Sequence, residues 1–221
     1  MKRIEKRDMS REFLDECHWM VERQLRARGI HDERVLAAFE SIPRHLFVPD
    51  EWRSWAYEDC PHPIGFKQTI SQPYIVAFMT QSLELTGTEG VLEVGTGSGY
   101  QAAILSGLAR EVHTIELIPA LADRAARTLA DLAVTNVFIH TGDGSQGWIE
   151  SAPYDAIIIT AAAPRVPKAL LDQLTEHGRM ILPVGASGFQ YLELWKRNGD
   201  SFLHETLFPV AFVPLLGKEG I

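Results

Sequence analysis

Val91-Leu92-Glu93-Val94-Gly95-Thr96-Gly97-Ser98-Gly99-Tyr100 reads as a buried strand that runs into a glycine-rich turn and opens a helix. Glycines at such a turn remove the Cβ atoms that would hold a ligand off the backbone, and the free N–H groups of the helix start then face it. A dinucleotide site carries G-x-G-x-x-G with an acidic residue about 20 positions on. Here the spacing is E-x-G-x-G-x-G, and Tyr100 stands where the dinucleotide pattern puts its last glycine. The pattern therefore favours a ligand without a pyrophosphate. S-adenosylmethionine meets that requirement, with its methionine tail along the turn and its ribose on a carboxylate at the end of the next strand. Glu116 is placed for that, since it ends the apolar run Val112-His113-Thr114-Ile115-Glu116. Such turns also join strands to helices with no ligand present, and the acidic residue in register is what tips the reading to a cofactor. Glu93, Gly95, Thr96, Gly97, Ser98, Gly99 and Glu116 form the expected cofactor set, with Thr160 at the end of a later apolar run.

Outward from this stretch the pattern is regular. Strand-like runs at 91–94, 112–116, 137–140, 156–160 and 180–184 alternate with helical stretches at 101–109, 119–132 and 167–174. That alternation predicts β-α-β units around a parallel sheet whose central strands are apolar on both faces, and Ile157-Ile158-Ile159 suits a central one. Two extended runs, 190–197 and 202–216, flank Asn198-Gly199-Asp200 and predict an antiparallel hairpin. The fold class expected is α/β: a Rossmann-like, mostly parallel sheet with an antiparallel C-terminal hairpin and an N-terminal helical extension. Residues 1–88 are read as a helical and substrate-loop region packed on a cofactor-binding core at 89–221, as one compact unit.

In the N-terminal part, Leu14, Cys17, Val21 and Leu25 recur at steps of three, four and four, which predicts a one-faced helix over 10–28 stopped by Gly29. A second helix is expected over 32–40, capped by Asp32, with Val35 and Phe39 inward. Pro43, Pro49, Pro61, Pro63 and Pro73 then punctuate an irregular, aromatic-rich segment, and connections of that length are usually functional.

Composition narrows the function classes. A chain of 221 residues with 46% hydrophobic content buries one substantial core, and a net charge of −8 without a basic cluster argues against nucleic-acid binding. Cys17 and Cys60 are the only cysteines, read as core thiols, and no residue is assigned to a metal. The charged stretch from Met1 to Asp8 lacks the apolar core of a secretory signal, and no run approaches the roughly 18 apolar residues of a membrane span. A cytoplasmic monomer is the expectation.

With these residues in hand, the chain closely resembles the protein-L-isoaspartate O-methyltransferase family, from Ile42-Pro43-Arg44 to Phe212-Val213-Pro214-Leu215. Pro63-Ile64-Gly65, Thr69-Ile70-Ser71-Gln72-Pro73, Gly142-Asp143-Gly144 and Leu182-Pro183-Val184-Gly185 match independently of the glycine turn. Thr-Ile-Ser-Gln-Pro is the specific signal, because methyltransferases at large share the turn but not this segment. The resemblance implies methyl transfer from S-adenosylmethionine, leaving S-adenosylhomocysteine, to the free α-carboxylate of L-isoaspartyl residues in damaged proteins and peptides. It implies Ser71 as the catalytic residue, Ile70 and Val213 beside the substrate, Glu116 on the ribose, and Asp143 and Gly144 near the adenine. Ser145 departs from the aromatic residue many members carry there, with Trp148 as a candidate substitute for adenine stacking. The peptide is expected between the 54–73 loop and the 210–216 run. Other readings are a methyltransferase for a small molecule or RNA, and a cofactor-binding module without catalysis. Ser71 as a mere cap for the helix near Pro73, and Asp143 as mere turn chemistry, are the plain structural alternatives.

Overall fold

The computed structural model describes residues 11–186 and 188–220, so Ser10 and the charged run before it lie outside the described residues. After two short strands, β1 (His62–Gly65) and β2 (Gln68–Ile70), the chain builds one seven-stranded sheet. Its members are β3 (Gly90–Val94), β4 (Glu111–Glu116), β5 (Val137–Thr141), β6 (Tyr154–Ile159), β7 (Leu174–Ala186), β8 (Phe189–Asn198) and β9 (Ser201–Val210). The order is β5-β4-β3-β6-β7-β8-β9, parallel from β5 to β7, with β8 antiparallel to both its neighbours. The chain moves outward from β3 through β4 to β5 and then returns to β6 on the other side of β3. That reversal opens a crevice beyond the carboxyl ends of β3 and β6, the position where open α/β sheets bind ligands.

Alternation along the central strands explains their apolar run. Val91, Ala156 and Ile158 enter one core, and Leu92, Val94, Ile157 and Ile159 enter the other. Register fixes this assignment, since Leu92 pairs with Ile157 and Val94 with Ile159. The helices α1 (Arg11–Trp19), α2 (Glu33–Ser41), α3 (Pro73–Ser82), α4 (Tyr100–Ser106), α5 (Pro119–Asp131) and α6 (Lys168–Leu171) cover the sheet. Cys17, Phe39, Val76 and Ile104 lie in the same core as Val91, so the N-terminal elements share the sheet's packing. No helix among the described residues is long and apolar enough to cross a membrane.

The expected strands and the hairpin are present, most with boundaries shifted by a few residues, but β7 begins at Leu174 where the run was expected from 180 and β9 ends at Val210 where it was expected to reach 216; three other segments differ in kind. The N-terminal helix is regular only to Trp19; a π-helical turn over Met20–Leu25 then brings Met20, Val21, Gln24 and Leu25 all inward before Gly29 ends it at φ 96°. The expected helix over 167–174 is only four residues long, because Leu174 is taken by β7, where it pairs with Tyr154 and is buried. The segment read as irregular holds 3-10 turns at Arg44–Phe47 and Asp50–Trp55 and the β1–β2 hairpin. At the other end β9 stops at Val210, and the following residues leave the sheet edge to run beside Ala162, which bridges Pro214. Asp32 caps α2 through Arg34 N, with Val35 and Phe39 buried as expected.

Candidate active site

The glycine turn is held from three sides. Gly95 N and Thr96 N both donate to the carbonyl of Ile115, at 2.9 and 3.2 Å, which ties the exit of β3 to β4. Thr160 Oγ1 donates to Gly95 O at 2.7 Å from the end of β6. Gly97 N donates to Glu116 Oε2 at 2.8 Å, while Ile118 N donates to its Oε1 at 2.9 Å. Two glycines are required by space as well as by dihedral angle. At Gly95, φ is 97° and a Cβ would meet Thr160 Oγ1 at 2.5 Å; at Gly99, φ is 88° and a Cβ would press on Ala125 at 3.0 Å.

Below the turn sits a buried relay. Thr114 Oγ1 donates to Glu93 Oε2 at 2.6 Å, and since a hydroxyl has one proton, Thr96 Oγ1 donates to Thr114 across their 2.6 Å contact. The other Glu93 oxygen, Oε1, is buried with no partner. Burial pushes the Glu93 carboxyl up to about 8 against the pull of the Thr114 hydrogen bond, and the nearby Glu116 charge adds to the rise. An acidic oxygen without a donor in the wall of an open crevice suits a ligand that brings a cation or an N–H group.

That crevice spans about 430 Å³ of non-atom space including its open mouth, and its wall contains Glu93, Gly95, Thr96, Gly97, Ser98 and Thr160 from the expected cofactor set together with Ile70 and Ser71. Ser71 is half-buried, and its hydroxyl makes no hydrogen bond within the described residues. It does not cap α3. Gln72 occupies the cap position without a side-chain capping bond, its Nε2 donating to Asp59 Oδ2 at 2.7 Å, and Tyr74 N donates to Asp59 Oδ1 at 3.2 Å. The backbone of Ser71 is fixed by Arg44, whose Nη2 donates to Ser71 O at 2.7 Å while its Nε donates to Ala56 O at 2.7 Å. Arg44 is fully buried, lies 4.8 Å from the centre of the Tyr100 ring, and leaves Nη1 without a partner. The sequence reading gave Arg44 and Asp59 no role. Arg44 stands in the matching Ile42-Pro43-Arg44 segment, but neither residue's neighbours in the chain show what it touches, and only the tertiary fold brings them to the Ser71 segment.

Glu116 and Gly99 stand behind the crevice wall, and Glu116 acts on it through Gly97 N. Asp143 and Gly144 are not in the crevice wall either. The Asp143 carboxylate accepts from Ser145 N, Ser145 Oγ and Lys218 N at 3.0, 2.7 and 2.8 Å; burial raises its pKa, but these donors hold it below the usual carboxylate range. Ser145 is buried and also accepts from Glu219 N at 3.0 Å, so the residue that departs from the family pattern fastens the C-terminal segment. Gly144 packs against Val94, where a Cβ would meet Cγ1 at 2.6 Å. Trp148 is stacked on His140 with centroids 4.0 Å apart, which engages the ring away from the crevice. In the C-terminal run Phe212, not Val213, lines the crevice; Val213 packs into the second core. Gln190 fixes Phe212 by accepting from its N at 2.6 Å and donating to its O at 3.1 Å.

The profile of the protein-L-isoaspartate(D-aspartate) O-methyltransferase family matches residues 17–220. A protein-L-isoaspartate O-methyltransferase of a Synechococcus strain is 51% identical over 216 residues, covering 95% of this chain and 88% of that one. Protein-L-isoaspartate O-methyltransferase 1 of Syntrophobacter fumaroxidans is 54% identical over 201 residues, covering 91% and 94%. A solved protein-L-isoaspartate O-methyltransferase superimposes with a TM-score of 0.82 at 28% identity, over 93% of this chain and 66% of that one. A Plasmodium falciparum structure in complex with S-adenosyl-L-homocysteine shares the fold at TM-score 0.77 and 24% identity, over 89% and 96%. The match takes in the whole crevice, from the Ser71 segment through the glycine turn to Phe212, and so this chain belongs to the protein-L-isoaspartate(D-aspartate) O-methyltransferase family.

Proposed function

We propose that the crevice binds S-adenosylmethionine and that the chain is a protein-repair enzyme, moving the methyl group to the free α-carboxylate of L-isoaspartyl residues in damaged proteins and peptides. The observation that carries this reading is the meeting of two unsatisfied groups in one crevice: the Glu93 Oε1 acceptor and the Ser71 hydroxyl. The first matches the ammonium of a methionine tail, with the glycine turn beside it. The second is available to a carboxylate. When bound, the cofactor supplies an electrophilic methyl group on a sulfonium.

No side chain has to act as a base, because an acceptor carboxylate with a pKa near 4 is already ionised at neutral pH. Ser71 orients that carboxylate by donating its hydroxyl proton, and Arg44 holds the Ser71 backbone in place. Ile70, Val76, Met79 and Phe212 make the apolar part of the wall and exclude water. Orientation of this kind contributes several kcal/mol to a barrier without any proton transfer. Thr69 to Ser71 on one side and Phe212 on the other leave the crevice open between the β1–β2 hairpin and the C-terminal run, which supports an extended peptide lying there. In this reading residues 1–88 present the substrate and 89–221 hold the cofactor, in a cytoplasmic monomer that binds no nucleic acid.

The test is labelled methyl transfer to two peptides of one sequence, one with L-isoaspartate and one with aspartate. Transfer to the isoaspartyl peptide alone is expected; equal transfer to both removes the repair assignment, and cofactor binding with no transfer favours a non-catalytic module. Glu116→Ala, which deletes the anchor of Gly97 N as well as the proposed ribose contact, is expected to weaken cofactor binding roughly tenfold, the worth of about one charge-assisted hydrogen bond. An unaltered dissociation constant in calorimetry would show that Glu116 does not serve the ribose.

A further inference from the structure

We propose that Glu58, Cys60 and His62 form a binding site for a thiophilic divalent cation of the zinc class, separate from the methyl-transfer crevice. Each offers one ligand atom, and the three atoms lie within 4.8 Å of one another. Cys60 Sγ is 3.7 Å from His62 Nε2 and 3.8 Å from Glu58 Oε2. A tetrahedral zinc with Zn–S of about 2.3 Å and Zn–N or Zn–O of about 2.0–2.2 Å has ligand-to-ligand edges of roughly 3.5 Å, so only small movements close the three ligands on an ion. Among the described residues no other three metal-ligating side chains come together in this way.

The local fold explains the convergence. Cys60 N donates back to Glu58 O at 2.9 Å, a tight bend that returns the Glu58 side chain toward Cys60, and His62 then starts β1 with its ring 5.5 Å from that of Trp52. His62 is buried and Cys60 half-buried, while Glu58 is exposed and leaves a side open for a water as fourth ligand. Sulfur with imidazole and one carboxylate suits zinc, whereas calcium and magnesium call for six or more oxygens. Binding exchanges the Cys60 thiol proton, released to solvent, for a sulfur–metal bond, with no change of oxidation state. Burial and the neighbouring Glu58 carboxylate hold the Cys60 thiol above its ordinary value in the metal-free chain, so an ion has to displace that proton to bind. The site bears on the crevice through β1, because His62 pairs with Ile70, the residue before Ser71.

The test uses the whole chain, stripped of metal with a chelator and titrated with Co²⁺ without oxygen. The expected result is a sulfur-to-cobalt charge-transfer band that saturates at a single equivalent and is displaced by Zn²⁺. Cys60→Ser should remove the band and Cys17→Ser should keep it. Glu58→Gln, at an exposed position that the fold tolerates, should weaken Co²⁺ binding roughly tenfold or more. No band with the native chain, or a band that survives in Cys60→Ser, overturns the proposal, as does native affinity in Glu58→Gln. None of these readouts depends on methyl transfer.

Discussion

Replacing Ser71 by alanine is expected to lower turnover on an isoaspartyl peptide roughly ten- to a hundredfold while cofactor affinity and folding stability stay as they are. The size follows from one hydrogen bond to a charged group, about 1.5–3 kcal/mol, at about 1.4 kcal/mol per tenfold in rate. The selectivity of the effect follows from the structure. The Ser71 hydroxyl caps no helix, since Asp59 takes the N–H of Tyr74, and the Ser71 carbonyl stays bonded to Arg44 whatever the side chain is. Removing the hydroxyl therefore leaves no buried partner unsatisfied, and the melting temperature should shift by no more than a surface substitution shifts it, within about 0.5 kcal/mol. Steady-state kinetics with labelled cofactor, calorimetry for the cofactor and a thermal melt together read the three quantities. Native turnover in the variant would remove Ser71 from the mechanism, and a large drop in melting temperature would make its role structural.

How far the sequence leads can be judged from the same residues. The sheet was legible because each central strand fills two cores: Leu92 and Val91 point into different ones, so the run has to be apolar throughout. The glycine turn was legible because Gly95 and Gly99 adopt dihedral angles that favour glycine, and Asp32 because a cap acts on a neighbour two residues away. Residues whose role depends on distant partners were not legible. Nothing near Arg44 in the chain says that it will be buried between Ala56 O, Ser71 O and the Tyr100 ring. The β1–β2 hairpin was hidden by Pro61 and Pro63 and by a turn that, after Gly65 at φ 89°, puts Phe66 and Lys67 at φ 53° and 60°, where glycine or asparagine usually announces the two central positions. Phe212 and Val213 were adjacent choices for one wall, and the extended backbone that sends them to opposite sides is set by Gln190 and Ala162. Cys60, read as a core thiol, lies half-buried beside His62 at a spacing too short for any familiar metal motif.

Glu93→Gln should move stability and cofactor affinity in opposite directions. Burial raises the folded-state pKa of Glu93 from 4.5 to about 8, so between those values the folded chain keeps a proton that the unfolded chain has released. Stability that is fully present below pH 4.5 is therefore lost progressively as pH rises toward 8, by an amount on the order of a few kcal/mol. A glutamine carries no such charge. Its amide oxygen still accepts from Thr114 Oγ1, and its melting temperature should lack this falling limb, so that the variant is more stable than the native chain at pH 8. Cofactor binding should suffer at that same pH. The unpartnered Oε1 lies in the crevice wall, and once the carboxyl is ionised beside a bound ammonium, taking one partner from that buried ion pair costs about 3–5 kcal/mol, a loss in affinity of a hundredfold or more. In the native chain an ammonium beside Oε1 favours the ionised carboxylate over the protonated one, despite the neighbouring Glu116 charge, so cofactor affinity should rise from pH 6 to pH 8 and the variant should lose that slope. Thermal melts and calorimetric titrations at pH 6 and pH 8 measure both. A variant that keeps the native pH slope of stability would show that Glu93 is not the group titrating, and a variant that binds the cofactor as the native chain does would separate Glu93 from the ammonium it is proposed to hold.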